Sequence, residues 1–234
     1  MEFFKKKHII SSNNHRNIIS LKKLIFPPIS EIKVPQLLID DESIKYITFS
    51  SSAQEIINII MNNLIDLIPS ITKNLDKIMK QLVITEMTAG VGGNVLNFAK
   101  YFKYVNAIEI DKNRVDFLEK NIKLYGYENV NCYNDNSLKL LLEKDDIVQD
   151  IVFFDPPWGG SEYKFYSKLR LKFGTDTIEN ICLKLLERIT TKMIVIKLPL
   201  NYDFDYLKIE LNKYLIGKYT LERMAIVVVK KIIS

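Results

Sequence analysis

LVITEMTAGVGGN, residues 82–94, is a short apolar strand pattern that runs directly into a glycine-rich turn. Its three glycines allow a sharp turn and a close backbone approach to a ligand, and Asn94 can cap a following helix. No Lys-Ser/Thr pair follows them, which excludes a Walker phosphate loop, and Val95 stands where a dinucleotide fingerprint has a third glycine. A nucleoside-cofactor loop and a plain structural turn remain as interpretations.

Strand-like and helix-like patterns alternate from this stretch to the end of the chain. Such alternation predicts an α/β fold with a mostly parallel sheet, helices on both faces and an antiparallel edge hairpin. The predicted strands are 82–87, 104–110, 129–133, 150–155 and 191–198, followed by Tyr214–Leu221 and Arg223–Lys230, and the predicted helices lie near 94–102, 112–125, 137–143, 177–188 and 203–213.

The part of the chain before this alternation divides into two segments. Residues 1–35 are polar and carry most of the net charge of +5, so we expect a flexible basic leader. Such a leader suits a polyanion such as RNA, and a merely solvated tail is the alternative. Residues 36–80 predict a small helical extension, in which Ser50, Ser51 and Ser52 are candidate N-caps of an amphipathic helix. Residues 81–234 form the main predicted domain.

Composition excludes several classes of protein. Two cysteines, Cys132 and Cys182, make neither a disulfide framework nor a metal cluster, and both histidines, His8 and His15, lie in the polar leader. We therefore expect no metal site. No run approaches the ~20 apolar residues of a membrane span, and no signal-peptide core follows the first residues. We expect an intracellular monomer without membrane contact, in either the cytoplasm or the nucleus.

A second stretch, VFFDPPWGGSEY at residues 152–163, predicts a buried strand that ends in a group of chemically useful residues. A carboxylate at Asp155 and the proline-fixed carbonyl of Pro156 can accept hydrogen bonds from a planar exocyclic amine. The ring of Trp158, the chain's only tryptophan, can stack on the base. The pattern is that of an amine methyltransferase, and a tight turn with a buried tryptophan is the alternative.

Acidic residues follow three successive predicted strands. Glu86 ends the first strand, where it could contact the methionine amino group of a nucleoside cofactor. Glu109 ends the second strand, at the sequence separation from the glycine-rich turn that is typical of an acid that binds a ribose. Asp135 follows the third strand, where it could bound an adenine. Each acid alone could be a helix cap or a solvated side chain, and Asp111 and Asp135 are plausible caps. Together they mark the edge where ligands bind in parallel sheets.

GVGGN followed by AIEID, YND and FFDPPWGGSEY resembles the RNA cap guanine-N2 methyltransferases, the trimethylguanosine synthases, over about residues 40–205. The resemblance implies a Rossmann-like class I methyltransferase sheet and S-adenosylmethionine as the cofactor. It implies stacking of Trp158 on the 7-methylguanine of a capped RNA, catalytic roles for Asp155, Pro156 and Trp158, and substrate contacts from Trp158, Tyr163 and Asn201. The implied cofactor contacts are Thr48, Ser50, Glu86, Thr88, Gly90, Gly92, Asn94, Glu109, Ile110, Asp135, Asn136 and Asp155.

Some positions depart from the family pattern. Glutamates replace the usual aspartates at Glu86 and Glu109, and Ser-Ser-Ala at 51–53 stands where Thr-Pro-Glu is usual. Leu200 stands where an arginine is expected, which affects how the cap phosphates would be held. The long N-terminal extension of the family is not expected here, nor is its recruitment to particular RNA–protein particles.

The predicted reaction is methyl transfer from S-adenosylmethionine to the exocyclic N2 amine of a 7-methylguanosine cap. The number of methyl groups added, one or two, stays open. One alternative is methylation of an amine on an internal RNA or DNA base, which shares the acid-Pro-Pro-aromatic arrangement. Another is a cap-binding subunit without catalytic activity.

Overall fold

A computed structural model of the protein describes residues 12–65, 75–144 and 147–231, and a seven-stranded sheet forms its centre. In chain order the strands of these ranges are β1 Val83–Glu86, β2 Tyr104–Glu109, β3 Val130–Asn134, β4 Ile151–Phe154, β5 Lys172–Phe173, β6 Asp176–Thr177, β7 Met193–Pro199, β8 Leu215–Leu221 and β9 Met224–Lys230. The sheet order is β3-β2-β1-β4-β7-β9-β8, and β5 pairs separately with β6. Strands β1 to β4 and β7 are parallel, whereas β9 and β8 form an antiparallel edge. The predicted sheet is confirmed.

Helices lie between the strands as the alternation predicted. They are α1 Ser12–Ile25, α2 Ser50–Leu64, α3 Leu75–Met79, α4 Val95–Ala99, α5 Lys112–Tyr125, α6 Ile178–Glu187 and α7 Phe204–Glu210, with a π-helical turn at Lys139–Glu143 and a 3₁₀ helix at Gly160–Phe165. Two predicted helices, 94–102 and 203–213, are shorter than expected, and the predicted helix 137–143 is largely the π-helical turn.

Both faces of the central strands are covered, which explains their nearly continuous apolar sequence. Successive residues of a strand point to opposite faces. Phe153 and Val195 accordingly belong to one apolar cluster, with Phe98 and the buried residues of α2, whereas Phe154 and Ile196 belong to a second cluster with α6. The central strands therefore lie in the middle of a three-layer arrangement.

From residue 12 onward, the structure of the leader differs from the flexible segment that the sequence predicted. Helix α1 ends at Ile25, and the side chains of Ile25 and the following Phe26 are buried in the first apolar cluster. The chain then contacts the end of α5, where Tyr125 donates a hydrogen bond to the Pro27 carbonyl and Lys33 donates to the Leu124 carbonyl. The chain from Leu21 to residue 35 thus packs on the rest of the protein, because a short apolar face at helical spacing lies within its polar composition. Residues 1–11 of the leader lie outside the described residues.

The capping predictions have mixed outcomes. Asp111 caps α5 as predicted, since its carboxylate accepts from the backbone N–H groups of Asn113 and Arg114. The serines at 50–52 do not cap α2, because Phe49 occupies the N-cap position. Asn94 precedes α4 without a side-chain capping bond. Asn136 rather than Asp135 caps the turn after β3, because the Asn136 side chain accepts from the N–H groups of residues 138 and 139.

Asn121 of α5 fastens the N-terminal segment to the glycine-rich turn. Its side chain is fully buried, accepts a hydrogen bond from the Leu38 N–H, and donates to the carbonyls of Leu38 and Val91. A buried amide with these three partners holds two backbone segments at once.

We expect Asn121→Ala to lower the free energy of unfolding by about 2–3 kcal/mol, because it leaves buried backbone groups without partners. Asn180→Ala is the matched control, since that amide is bonded to Asp176 at the surface, and its effect should stay within about 0.5 kcal/mol. Urea unfolding of both variants measures this, and equal losses would contradict the role given to Asn121.

Candidate active site

The predicted acids meet at the carboxyl edge of the parallel strands. Glu86 is the last residue of β1, Glu109 the last of β2, and Asp155 follows β4 directly. Strand order reverses between β2 and β4 on either side of β1, and ligands of open α/β sheets bind at such a point. The structure therefore brings the glycine-rich turn and the Asp-Pro-Pro-Trp segment to one crevice.

Glu86 lies at the bottom of this crevice and is unusual as a buried acid without a hydrogen-bond partner among the described residues. Its side chain is fully buried, and neither carboxylate oxygen has a hydrogen-bond partner within the described chain. Burial raises the pKa of Glu86 well above its ordinary value and the negative charge of Asp155 raises it further, whereas the ammonium of Lys197 and the nearby side-chain amide of Asn94 oppose both. The Oδ1 atom of the neighbouring Asn94 is also buried without a partner. A bound cationic or hydrogen-bonding group would satisfy these atoms.

The glycine-rich turn holds Glu109 in place. The Gly90 N–H donates to Glu109 Oε2 over 2.8 Å, and the Asp111 N–H donates to Oε1 over 2.9 Å. Each oxygen keeps a second lone pair, which a ribose hydroxyl could use. A Cβ atom at Gly90 would meet no atom within 4 Å, so this side of the turn is open, and the next side chain after Glu109, Ile110, is 70% exposed. The apolar surface of Ile110 suits the flat face of a nucleoside.

The other two glycines serve packing within the protein. A Cβ atom at Gly92 would lie 2.8 Å from the Leu118 side chain, and one at Gly93 would lie 2.6 Å from the Ile47 side chain. The N-terminal segment therefore passes directly against the turn.

Two predicted cofactor residues of that segment face in different directions. The hydroxyl of Thr48, which is buried, accepts a hydrogen bond from the Lys197 ammonium over 3.1 Å. The hydroxyl of Ser50 donates to Asn97 in α4 over 3.1 Å. Thr48 thus contacts the catalytic side of the crevice, and Ser50 contacts the helix after the glycine-rich turn.

Asp135 and Asn136 lie at the outer end of the crevice, after β3. The Asn136 N–H donates to Asp135 Oδ1 over 2.8 Å and lowers the pKa of that carboxyl, and Lys144 pairs with the other oxygen over 3.3 Å. Their contacts order the strand end, and their predicted role toward an adenine stays a prediction.

Asp155 and the prolines occupy the opposite wall. Thr88 donates a hydrogen bond to the backbone carbonyl of Asp155 over 2.9 Å, so this carbonyl is already used, and the Pro156 carbonyl predicted from sequence is the better candidate to receive a substrate. Burial raises the pKa of the Asp155 carboxyl, and the Lys197 ammonium, 2.6 Å from Oδ2, counteracts this shift. The following turn requires glycines, because the φ angles of Gly159 and Gly160 are +88° and +70°.

The Trp158 side chain is half-buried at the rim, beside the carboxylate. Its ring contacts Tyr163 edge to face, with centroids 5.2 Å apart, and its Nε1–H donates a long bond of 3.4 Å to the Lys197 carbonyl. Asn201 donates to the carbonyls of Tyr163 and Tyr166, each over 2.7 Å. Both amide hydrogens of Asn201 are thereby used to hold the loop that carries Tyr163, which is a different task from the substrate contact expected.

Sequence reasoning missed the position of Lys197. The sequence alone gave it no role, yet its ammonium lies between the Asp155 carboxylate and the N-terminal segment. The available signal was a lysine in MIVIKLP, residues 193–199, a strand buried at every position.

Among the described residues, no group of three or more His, Cys, Asp and Glu side chains could hold a metal ion. Within the same ranges, no helix has the length and apolar character needed to cross a membrane.

The sheet order and the crevice at its reversal point define a class I methyltransferase of Rossmann-like fold. The structure is similar to that of the T. thermophilus 16S rRNA N2 G1207 methyltransferase in complex with AdoMet and guanosine, with a TM-score of 0.56 over 83% of this chain and 44% of that chain. The sequences are 11% identical, so the likeness concerns the fold alone.

The chain belongs to the RNA cap guanine-N2 methyltransferase family, whose sequence model matches residues 81–231. It is 61% identical to the uncharacterized protein L320 of Acanthamoeba polyphaga mimivirus over 223 residues, which are 92% of this chain and 87% of that protein. It is 34% identical to the trimethylguanosine synthase of Saccharomyces cerevisiae over 83 residues and 30% identical to that of Schizosaccharomyces pombe over 100 residues. These matches span 34% and 40% of this chain, and 26% and 41% of the two synthases.

The residues of the crevice fit the cofactor of this family, S-adenosylmethionine. The partnerless carboxylate of Glu86 suits a cationic amino group, the open side of Gly90 admits a ligand, and Glu109 retains lone pairs for a diol. The protein is an S-adenosylmethionine-dependent methyltransferase.

We expect Glu86→Gln to weaken cofactor binding and to stabilise the free protein at alkaline pH. In the folded free protein the pKa of Glu86 is raised, so its contribution to stability is complete below the unfolded pKa and is lost as pH rises through the folded one. A cationic ligand requires the ionised form, so the affinity of the parent protein for S-adenosylmethionine should increase with pH. The variant should lack both dependences.

Calorimetric titration and thermal melting across a pH series measure these effects. Glu128→Gln, which changes an exposed carboxylate near the amino end of β3, is the control. Parallel pH curves for Glu86→Gln and the parent protein would refute the assignment.

Proposed function

We propose that the protein transfers a methyl group to the exocyclic N2 amine of a 7-methylguanosine RNA cap, giving 2,7-dimethylguanosine and, where the pocket readmits the product, 2,2,7-trimethylguanosine. The observation that carries the proposal is that one ammonium, that of Lys197, lies 2.6 Å from the Asp155 carboxylate and 5.7 Å from the centroid of the Trp158 ring, which brings the acid and the aromatic ring to one part of the crevice. Membership of the family supports an RNA substrate.

The cap itself is suggested by the charge of its base. 7-Methylguanine is cationic, and a cation bound over an indole gains about 2 kcal/mol where water is excluded. The Trp158 ring is fixed on one side by Tyr163 and by its Nε1 bond, which lowers the cost of presenting it to a base.

Alignment accounts for the chemistry in this proposal. S-adenosylmethionine supplies, when bound, a methyl group that its sulfonium already activates. The amine would donate one hydrogen bond to Oδ1 of Asp155, the oxygen that Lys197 does not contact, and one to the Pro156 carbonyl. These two bonds would direct the lone pair of the amine toward the methyl group, which is catalysis by positioning. After transfer the amine carries an extra proton and is acidic, so Asp155 or water can accept that proton.

Methyl transfer from labelled S-adenosylmethionine to three acceptors tests the proposal. They are a 7-methylguanosine cap analogue, the same analogue without the N7 methyl group, and uncapped RNA. We expect label on the first acceptor alone. Label on uncapped RNA would move the protein to the internal-base enzymes, and cofactor binding without transfer to any acceptor would favour a cap-binding subunit.

Since Trp158 is the only tryptophan of the chain, its fluorescence reports directly on the proposed stacking. We expect 7-methylguanosine triphosphate to quench this fluorescence and guanosine triphosphate to have much less effect. Trp158→Ala should weaken cap binding roughly 30-fold, which corresponds to about 2 kcal/mol, and leave cofactor affinity unchanged.

Tyr104→Ala is the matched control for this substitution, because Tyr104 is an exposed aromatic residue at the amino end of β2, the opposite edge of the sheet. Both variants are compared by calorimetry with cap analogue and cofactor. Loss of cofactor affinity in Trp158→Ala would show that the tryptophan belongs to the cofactor pocket.

A further inference from the structure

Lys197 is a buried cation whose hydrogen-bonding capacity is used completely. Its side chain is 8% exposed, and its ammonium contacts Asp155 Oδ2 at 2.6 Å, Thr48 Oγ1 at 3.1 Å and the Tyr46 carbonyl at 3.3 Å. A lysine ammonium has three N–H donors, so these three acceptors fix its position.

The contacts of Lys197 also fix the groups assigned to the substrate. Because Oδ2 of Asp155 receives the ammonium, Oδ1 is the oxygen that remains for an amine. The backbone carbonyl of the same lysine accepts the Nε1–H of Trp158, and the ammonium lies 5.7 Å from the centroid of that ring. One residue therefore contacts both the carboxylate and the aromatic ring.

We propose that Lys197 is the positioning residue of the transfer reaction: its ammonium keeps Asp155 ionised and oriented beside Trp158, and it couples this geometry to the Tyr46–Thr48 segment. Its importance for turnover rests on the proposed function, whereas its effect on Asp155 does not. The other charged group that faces Asp155 is Glu86, on the adjacent strand β1.

The Tyr46–Thr48 segment couples the two sides of the crevice because it contacts both Gly93 and Lys197. This segment lies against Gly93 on the cofactor side, and it supplies two of the three acceptors of Lys197 on the other side. A shift of the glycine-rich turn on cofactor binding would therefore be transmitted to the lysine, and through it to the carboxylate.

Lys197→Met tests the proposal, because methionine retains much of the apolar volume and removes the charge. We expect kcat at saturating cofactor to fall about 100-fold, as for a misplaced reacting group. Cofactor affinity should also fall, most at low pH, because the ammonium helps to keep Glu86 ionised. Without the ammonium the pKa of Asp155 rises, so the acidic limb of the pH–rate profile should move to higher pH. Lys197→Arg should restore the acidic limb and part of kcat. An unmoved acidic limb in Lys197→Met would overturn the proposal.

The double variant Asp155→Asn/Lys197→Met separates positioning from general destabilisation. If Lys197 acts through Asp155, removing the lysine should have little further effect on kcat once the carboxylate is gone. Fully additive losses would show that the lysine acts elsewhere. Thr48→Val, which removes one acceptor and keeps the shape, should give a smaller shift in the same direction, and it keeps the test available if Lys197→Met does not fold.

Carbon-13 NMR of the Asp155 carboxyl in the free protein provides a readout that requires no RNA. Its titration should move to higher pH in Lys197→Met and return in Lys197→Arg. A shifted titration in a protein that does not methylate caps would preserve the role of Lys197 and refute the substrate. An unchanged titration would refute the role of Lys197 whatever the substrate is.

Discussion

The site depends on the reversal of strand order at β1. The chain adds β2 and β3 on one side of this strand and β4 and β7 on the other, so the crossovers separate at its carboxyl end. The crevice that opens there receives Glu86 from the strand itself and Asp155 from its neighbour. Glu109 stands one strand further out. No single sequence segment contains the site, and a parallel sheet is what brings its parts to one edge.

The crevice contains more negative than positive side-chain charge, so the binding of its ligands and the stability of the free protein are linked. Glu86 and Asp155 are two carboxylates, and the ammonium of Lys197 pairs directly with only one of them. Burying an uncompensated carboxylate costs free energy, and the raised pKa of Glu86 is the expression of that cost. S-adenosylmethionine carries one net positive charge, and the proposed substrate, a 7-methylguanine base, carries another. A site that is unfavourable when empty thus acquires its compensation from its ligands, as expected where function limits stability.

The sequence predicted those features of the fold and the site that depend on the type and local pattern of residues. The alternation of strand-like and helix-like patterns predicted the sheet, since short, nearly continuous apolar runs that are bounded by glycine and proline have few other solutions. Acids at strand ends could be placed at one edge because parallel strands share their direction. Contacts between segments that are distant in the chain could not be predicted from local sequence patterns. The pairing of Lys197 with Asp155 spans 42 positions, and a lysine in a buried strand shows that a partner exists without showing which one. Gly92 and Gly93 likewise have the residue type of a ligand loop, and the structure shows a φ angle of +105° at Gly92 and close packing of Gly93 against Ile47, which are requirements of the fold itself.

The N-terminal segment contacts both sides of the crevice although it precedes residues 81–231, the region that matches the family. Asn121 ties Leu38 to the glycine-rich turn, Ile47 packs on Gly93, and the residues at 46–48 hold the ammonium of Lys197. These contacts connect the cofactor wall with the substrate wall across the mouth of the crevice. Because the segment contacts both walls, its position is sensitive to whatever occupies either of them. The two binding steps of a methyl transfer can then influence each other through residues that touch neither the methyl group nor its acceptor.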